Sequence, residues 1–172
     1  MRTLSPLLDH CPETLPREAY LDRAWFEREM ATIWARNWVC AGRLADLPLG
    51  LMRPVTVGGA SVVLTRAADG ALSAFHNSCR HRGAELCAGE TEVGKLITCP
   101  CHAWSYAASD GRLVSTGFAT PTANFDRQAR GLRVVAHVVW NGFVLFNRAA
   151  NPGPLRPDPG LGALHNWPMG GW

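Results

Sequence analysis

The chain has 172 residues, 47% hydrophobic and 18% charged, with a formal net charge of +3. That composition belongs to a folded globular domain, and the length allows a buried core without disulfide staples. The charge is too slight to argue for nucleic acid, and no window approaches the roughly 18 apolar residues of a membrane-spanning helix.

Residues 1–13 read as a loose arm, without the apolar run of a secretion signal. From about Thr14 to Trp38 the pattern is helical. Asp22 is a candidate N-cap, and Phe26, Met30, Ile33 and Trp34 recur at helical spacing among Glu27, Arg28, Glu29 and Arg36. Tyr20, Trp25, Phe26, Trp34 and Trp38 are expected to form a face that docks on a sheet. Residues 1–38 are therefore read as an arm and helix.

From Val39 the pattern changes to short strands. The expected strands are Met52–Val57, Ser61–Arg66, Leu72–His76, Lys95–Cys99, Ala103–Tyr106 and Arg112–Ser115, with turns at Gly58-Gly59, Asp69-Gly70 and Asp110-Gly111. A hairpin follows, Leu132–Trp140 and Phe143–Asn147, joined at Asn141-Gly142, a type I′ signal. Residues 116–131 are irregular and polar, as befits a loop. Many short strands with regular turns predict a mainly β domain over 39–150, a small antiparallel sandwich or barrel. Residues 151–172 are rich in Pro and Gly and read as a linker or the start of a further domain.

The chemistry is concentrated in Cys79–Tyr106, CRHRGAELCAGETEVGKLITCPCHAWSY. It holds two short pairs, Cys79-x-His81 and Cys99-x-x-His102, each offering one thiolate and one imidazole. Two metals accept such a set: one tetrahedral zinc, or a two-iron cluster with sulfur on one iron and histidine on the other. Zinc fingers usually draw two Cys from one loop and two His from a helix. Here each loop supplies one of each, which suits a diamond-shaped iron–sulfide core with a loop along either side. Gly83 gives the first loop freedom at positive φ, Pro100 stiffens the second, and Trp104 can shield a cofactor from water.

CRHRG followed by CPCHAWSY resembles the Rieske [2Fe–2S] signature, in the version carried by alpha subunits of Rieske non-haem iron ring-hydroxylating oxygenases and the related monooxygenases. The resemblance implies a Rieske-type β-domain with the cluster held by Cys79, His81, Cys99 and His102. Ala103 stands where that pattern has glycine, a small change if φ there is negative. Cys101 stands where these oxygenases carry an aromatic residue. Respiratory-chain Rieske proteins share CPCH but pair the inner Cys with a first-loop Cys, where this chain has Ala84. Cys87 is the nearby substitute, and a bridge needs Cα atoms within about 7 Å. Trp104 replaces the serine whose hydroxyl bonds a cluster sulfur in the respiratory proteins, so a low potential within the Rieske range is expected. Cys11, Cys40, Cys87 and Cys101 read as thiols of a reducing, cytoplasmic compartment.

The resemblance also implies a mononuclear Fe(II) held by two His and a carboxylate. His10, His76, His137 and His165 form no such set, and His76 and His137 read as ordinary edge or core histidines. No catalytic residue is assigned. The expected role is electron transfer from a ferredoxin or flavin reductase to an iron on a catalytic oxygenase domain or subunit, in an assembly resembling a homotrimer. A stand-alone Rieske ferredoxin is the alternative. Arg80 and Arg82, beside the first pair, could meet an acidic donor.

Overall fold

The structure, a computed structural model, describes residues 13–158. The N-terminal arm before Glu13, with His10 and Cys11, and the tail from residue 159, with His165, lie outside the described residues. Two helices come first, α1 (Glu18–Leu21) and α2 (Arg23–Arg36). Asp22 separates them as expected. Its backbone is extended and its carboxylate accepts from the Ala24 amide at 2.8 Å, capping α2.

The expected docking face is overturned: neither helix buries a residue, and Tyr20, Phe26, Ile33 and Trp34 stay at least 40% exposed. Contacts along the helix itself use part of that surface instead. Trp25 Nε1 donates to Glu29 at 3.1 Å, and Arg28 lies over the Trp25 ring. Trp34 lies against Gly58, where an added Cβ would fall 2.7 Å from the Trp34 Cβ. Two bonds tie the end of the helix to the chain's exit: Asn147 Nδ2 donates to Arg36 O and Trp38 Nε1 to Gly153 O.

Ten strands follow: β1 (Val39–Arg43), β2 (Leu51–Val57), β3 (Ala60–Arg66), β4 (Leu72–His76), β5 (Thr91–Glu92), β6 (Leu96–Thr98), β7 (Ser105–Ala107), β8 (Leu113–Ser115), β9 (Ala136–Trp140) and β10 (Phe143–Asn147). They form three antiparallel sheets, β1-β10-β9, β4-β3-β2-β5 and β6-β7-β8. The fold is the mainly β architecture expected, with its helical lead-in. The expected strands did not include β1 or β5, the latter too short to show a period, and the first hairpin strand was expected to begin too early. Residues 132–135 instead run beside β4, with His76 N bonded to Arg133 O and Val135 N to Ala74 O, before the chain crosses to β10. At the turn beyond, Asn141 and Gly142 both have positive φ, the type I′ pattern.

The sheet containing β3 divides the core. Strand side chains alternate between faces, so Val63, Phe75 and Met52 join Ile97, Tyr106, Leu113 and Cys79 in one cluster. Val62, Leu64 and Ala74 face the other way, towards Val144, Phe146 and Val135. Each such aliphatic or aromatic burial contributes about 1.5–3 kcal/mol. The first cluster supports the two loops that carry the metal-binding motif.

Gly111 closes that side. It sits at φ +75, and an added Cβ would lie 2.7 Å from Phe75 Cε1. Gly111→Ala is expected to destabilise the domain by about 2 kcal/mol or more, from left-handed strain and overpacking together, as read by urea unfolding.

Candidate metal centre

The first loop leaves β4 and is held by one buried amide. Asn77 Oδ1 accepts from the Leu86 and Cys87 amides, both at 3.0 Å. Its Nδ2 donates to Cys87 O at 2.6 Å, with Ser61 Oγ and Glu85 Oε1 also in reach at 3.0 and 3.1 Å. Within the loop, the Cys79 amide donates to Ala84 O and the Gly83 amide returns to Cys79 O. The second loop, between β6 and β7, repeats this pattern: Cys99 N donates to Trp104 O and Ala103 N to Cys99 O. Both turns put their fifth residue at positive φ, Gly83 at +78° and Ala103 at +54°.

The condition under which alanine would be a small change at position 103, a negative φ, is therefore not met. The turn requires a left-handed residue there, which costs a non-glycine about 1–2 kcal/mol. Gly117, in the segment after β8, backs onto the same turn, and a Cβ on it would collide with the His102 carbonyl oxygen. The irregular segment thus packs beside the loops, and Phe125 adds an edge-on contact to Trp104.

The two turns bring the four motif side chains together, sorted by chemistry. Cys79 and Cys99 lie side by side in the core, 3% and 2% exposed. The His81 and His102 rings meet edge to face, centroids 4.8 Å apart, nearer the surface. Trp104 stacks on His81 at 4.8 Å, nearly parallel. Among the described residues no three His, Cys, Asp or Glu side chains gather as they would around a single ion. Sulfur pairs with sulfur and imidazole with imidazole, the sorting that a two-iron core asks for and a lone zinc does not.

The electrostatics fit a cationic metal centre. Burial pushes the Cys79 thiol up; bonds from Tyr106 and the His81 backbone oppose this, while Cys99 adds to it. Two adjacent buried thiolates are costly without positive charge between them. Burial, then the charges of Arg82 and His102, push the His81 imidazole below its ordinary range. A neutral ring has a lone pair to give, and His81 Nδ1 is buried with no hydrogen-bond partner.

Tyr106 on β7 was missed as a functional residue. Its hydroxyl lies 3.1 Å from Cys79 Sγ, and its oxygen accepts from the Arg80 amide at 3.0 Å. With that lone pair engaged, the phenolic proton is left for the sulfur. Burial first, then the Cys79 contact, pushes its pKa far above the usual phenol range, so it stays a donor throughout the working pH range. Tyr106 thus offers the Cys79 sulfur a donor that the argument for a low potential, built on the missing serine, did not count. No signal short of tertiary structure identified Asn77. Among the described residues the cysteines outside the motif form no bridge: Cys87 is buried and donates to Gly89 O at 2.9 Å, while Cys40 and Cys101 are exposed and free. His137 is satisfied between Val135 O and Leu72 O.

The Rieske [2Fe–2S] domain family matches residues 37–126 of this sequence. The chain belongs to that family. Its cofactor is accordingly a Rieske-type [2Fe–2S] cluster. The Rieske chain is 37% identical over 141 residues to the glycine betaine monooxygenase oxygenase subunit of Pseudomonas aeruginosa, covering 81% of itself and 32% of that protein. It is 36% identical over 154 residues to the carnitine monooxygenase oxygenase subunit of Escherichia coli, covering 87% of itself and 40% of that protein. The apo form of CntA, a quaternary ammonium Rieske monooxygenase, aligns with a TM-score of 0.74 at 30% identity, over 82% of this chain and 41% of that one. The Rieske chain thus spans from about a third to two fifths of the length of these relatives.

Tyr106→Phe is expected to lower the midpoint potential of the bound cluster by about 20–60 mV, the equivalent of one hydrogen bond to sulfur, in a spectroelectrochemical titration. Ala103→Gly is expected to raise thermal stability by up to about 1 kcal/mol, because relief of left-handed strain exceeds the entropy glycine adds to the unfolded chain.

Proposed function

We propose that Cys79 and Cys99 hold one iron of the cluster and His81 and His102 the other, and that the chain is the electron-transfer part of a Rieske oxygenase. The sorted pairing of the four side chains carries this reading: sulfur in the dry core, imidazole towards the surface. When bound, the cluster supplies one-electron storage, filled from a ferredoxin or flavin reductase and emptied to a mononuclear iron on a catalytic oxygenase domain or subunit.

The protein's own groups have separate tasks. The buried cysteines keep water from the sulfur side. Tyr106 holds a proton against Cys79 Sγ. Trp104 covers His81, while His102 is exposed and offers its ring edge to a partner. On this reading the chain divides at 1–38 (N-terminal arm and helix), 39–150 (Rieske domain) and 151–172 (a Pro/Gly-rich linker or the start of a catalytic domain). The names of the glycine betaine and carnitine relatives favour a monooxygenase of quaternary ammonium substrates. Such a substrate would be chosen at the mononuclear iron rather than here.

Anaerobically purified protein is expected to hold iron and acid-labile sulfide in equal amounts and to give, when reduced, a rhombic EPR signal of low average g. His81→Ala or His102→Ala is expected to abolish that signal. One divalent ion per chain without sulfide, or a signal that survives both histidine changes, refutes the assignment.

A further inference from the structure

One histidine stands where two of the sheets part. Residues 132–135 run antiparallel to β4, with His76 N bonded to Arg133 O, Val135 N bonded to Ala74 O, and Phe75 paired with Val134. In an antiparallel ladder every second residue turns its polar groups to the same neighbour. Leu72 therefore offers its carbonyl where residue 137 would bring the next amide. The chain turns away before that rung forms: from Ala136 its backbone belongs to β9 and pairs with β10, with His137 opposite Phe146. The His137 ring takes the place of the rung. Its Nε2 lies 3.0 Å from Leu72 O and its Nδ1 3.0 Å from Val135 O.

Both neighbours of the ring are backbone carbonyls, which only accept hydrogen bonds. A neutral imidazole has one N–H and one lone pair, so it satisfies one oxygen and turns its lone pair on the other. An imidazolium donates to both. The setting tolerates that charge, because His137 is half-buried and water reaches it. β9 packs chiefly against β10 and β4. Neither β9 nor β10 has another ionisable side chain, and β4 has only His76, at the far end from Leu72. Arg66, opposite Leu72 on β3, is turned to Leu44 O and Leu47 O. Asp69, in the turn before β4, accepts from the Ala71 amide. The charges of Arg133 and Arg148 act on His76 at the other end of these strands. The groups that face the ring are thus the two carbonyl oxygens.

We propose that His137 is a proton-dependent tie at this seam, holding Leu72 O and Val135 O together only while both ring nitrogens carry hydrogen. The tie joins β4, which leads into the first cluster loop, to β9 and its partner β10, whose Asn147 is fastened to the end of α2. The second proton comes from water and returns to it as pH rises. One carbonyl is then released, and the seam opens there first. The inference does not depend on the cluster assignment.

The test uses the full cluster-loaded chain. Long-range proton–nitrogen correlation of the histidine rings, with His137 identified by its loss in His137→Phe, reads the protons directly. At about pH 6 both His137 nitrogens are expected to show donor-type shifts. Hydrogen exchange at the Val135 and His76 amides, corrected for its intrinsic pH dependence, reads the seam. Wild-type protection is expected to fall about tenfold between about pH 6 and about pH 8, the loss of one charge-assisted bond. His137→Phe keeps a ring without its donors and is expected to show the lower protection at both pH values. His137→Gln, whose amide does not titrate, is expected to abolish the pH dependence and serves if the Phe variant does not fold. The EPR signal of the reduced chain is expected to be unchanged in both. A single protonated nitrogen at about pH 6, wild-type protection indifferent to pH, or wild-type behaviour in either variant overturns the tie and leaves the cluster assignment standing.

Discussion

Two cysteine sulfurs side by side in a dry core are the constraint on which the rest of the site depends. Burial holds the Cys79 thiol above its ordinary range, and the positive charge of a two-iron core offsets that cost. The backbone is arranged to bring the sulfurs together. Two turns with the same pair of hydrogen bonds, one from each side, direct Cys79 and Cys99 inwards and His81 and His102 outwards. The result is polarised, with soft donors buried and nitrogen donors nearer the surface.

The scaffold keeps the turns from moving. The first loop hangs from β4 and is pinned by the Asn77 amide, which bonds to two loop amides and a loop carbonyl. The second is a short hairpin connection whose strand β7 carries Tyr106 beneath Cys79. Both rest on the cluster that includes Phe75, Val63 and Ile97. The opposite face of the same sheet packs against β1, β10 and Val135, away from the motif side chains. One sheet thus serves stability on one side and chemistry on the other. Ala103 departs from this consistency, an alanine held where the turn calls for glycine. Strain of that kind persists only where the surroundings over-determine the backbone, and Gly117 and Trp104 bracket this position.

The charge distribution follows the same division. The cysteine side is apolar, while arginines gather where the first loop meets solvent. The helical lead-in stands apart from both, with its apolar residues largely uncovered and its end fastened to the chain's exit.

The sequence alone determined the class of fold, most strands and the four residues that meet at the site. Those features are written in short-range patterns: alternation with period two, Asn-Gly turns, and a thiolate and an imidazole placed a residue or two apart. It could not reveal Asn77 or Tyr106 as supports, because a buried amide and a phenol acquire their roles only from partners brought close by folding. The sign of φ at Ala103 was equally hidden, being a property of the closed turn rather than of the residue. The helix misled for a related reason: an apolar stripe records a capacity for burial, and whether a surface covers it is decided by where the other elements lie. Arg133 makes the same point most plainly. Far along the chain from Arg80 and Arg82, it shares a cleft with them only because residues 132–135 run beside β4.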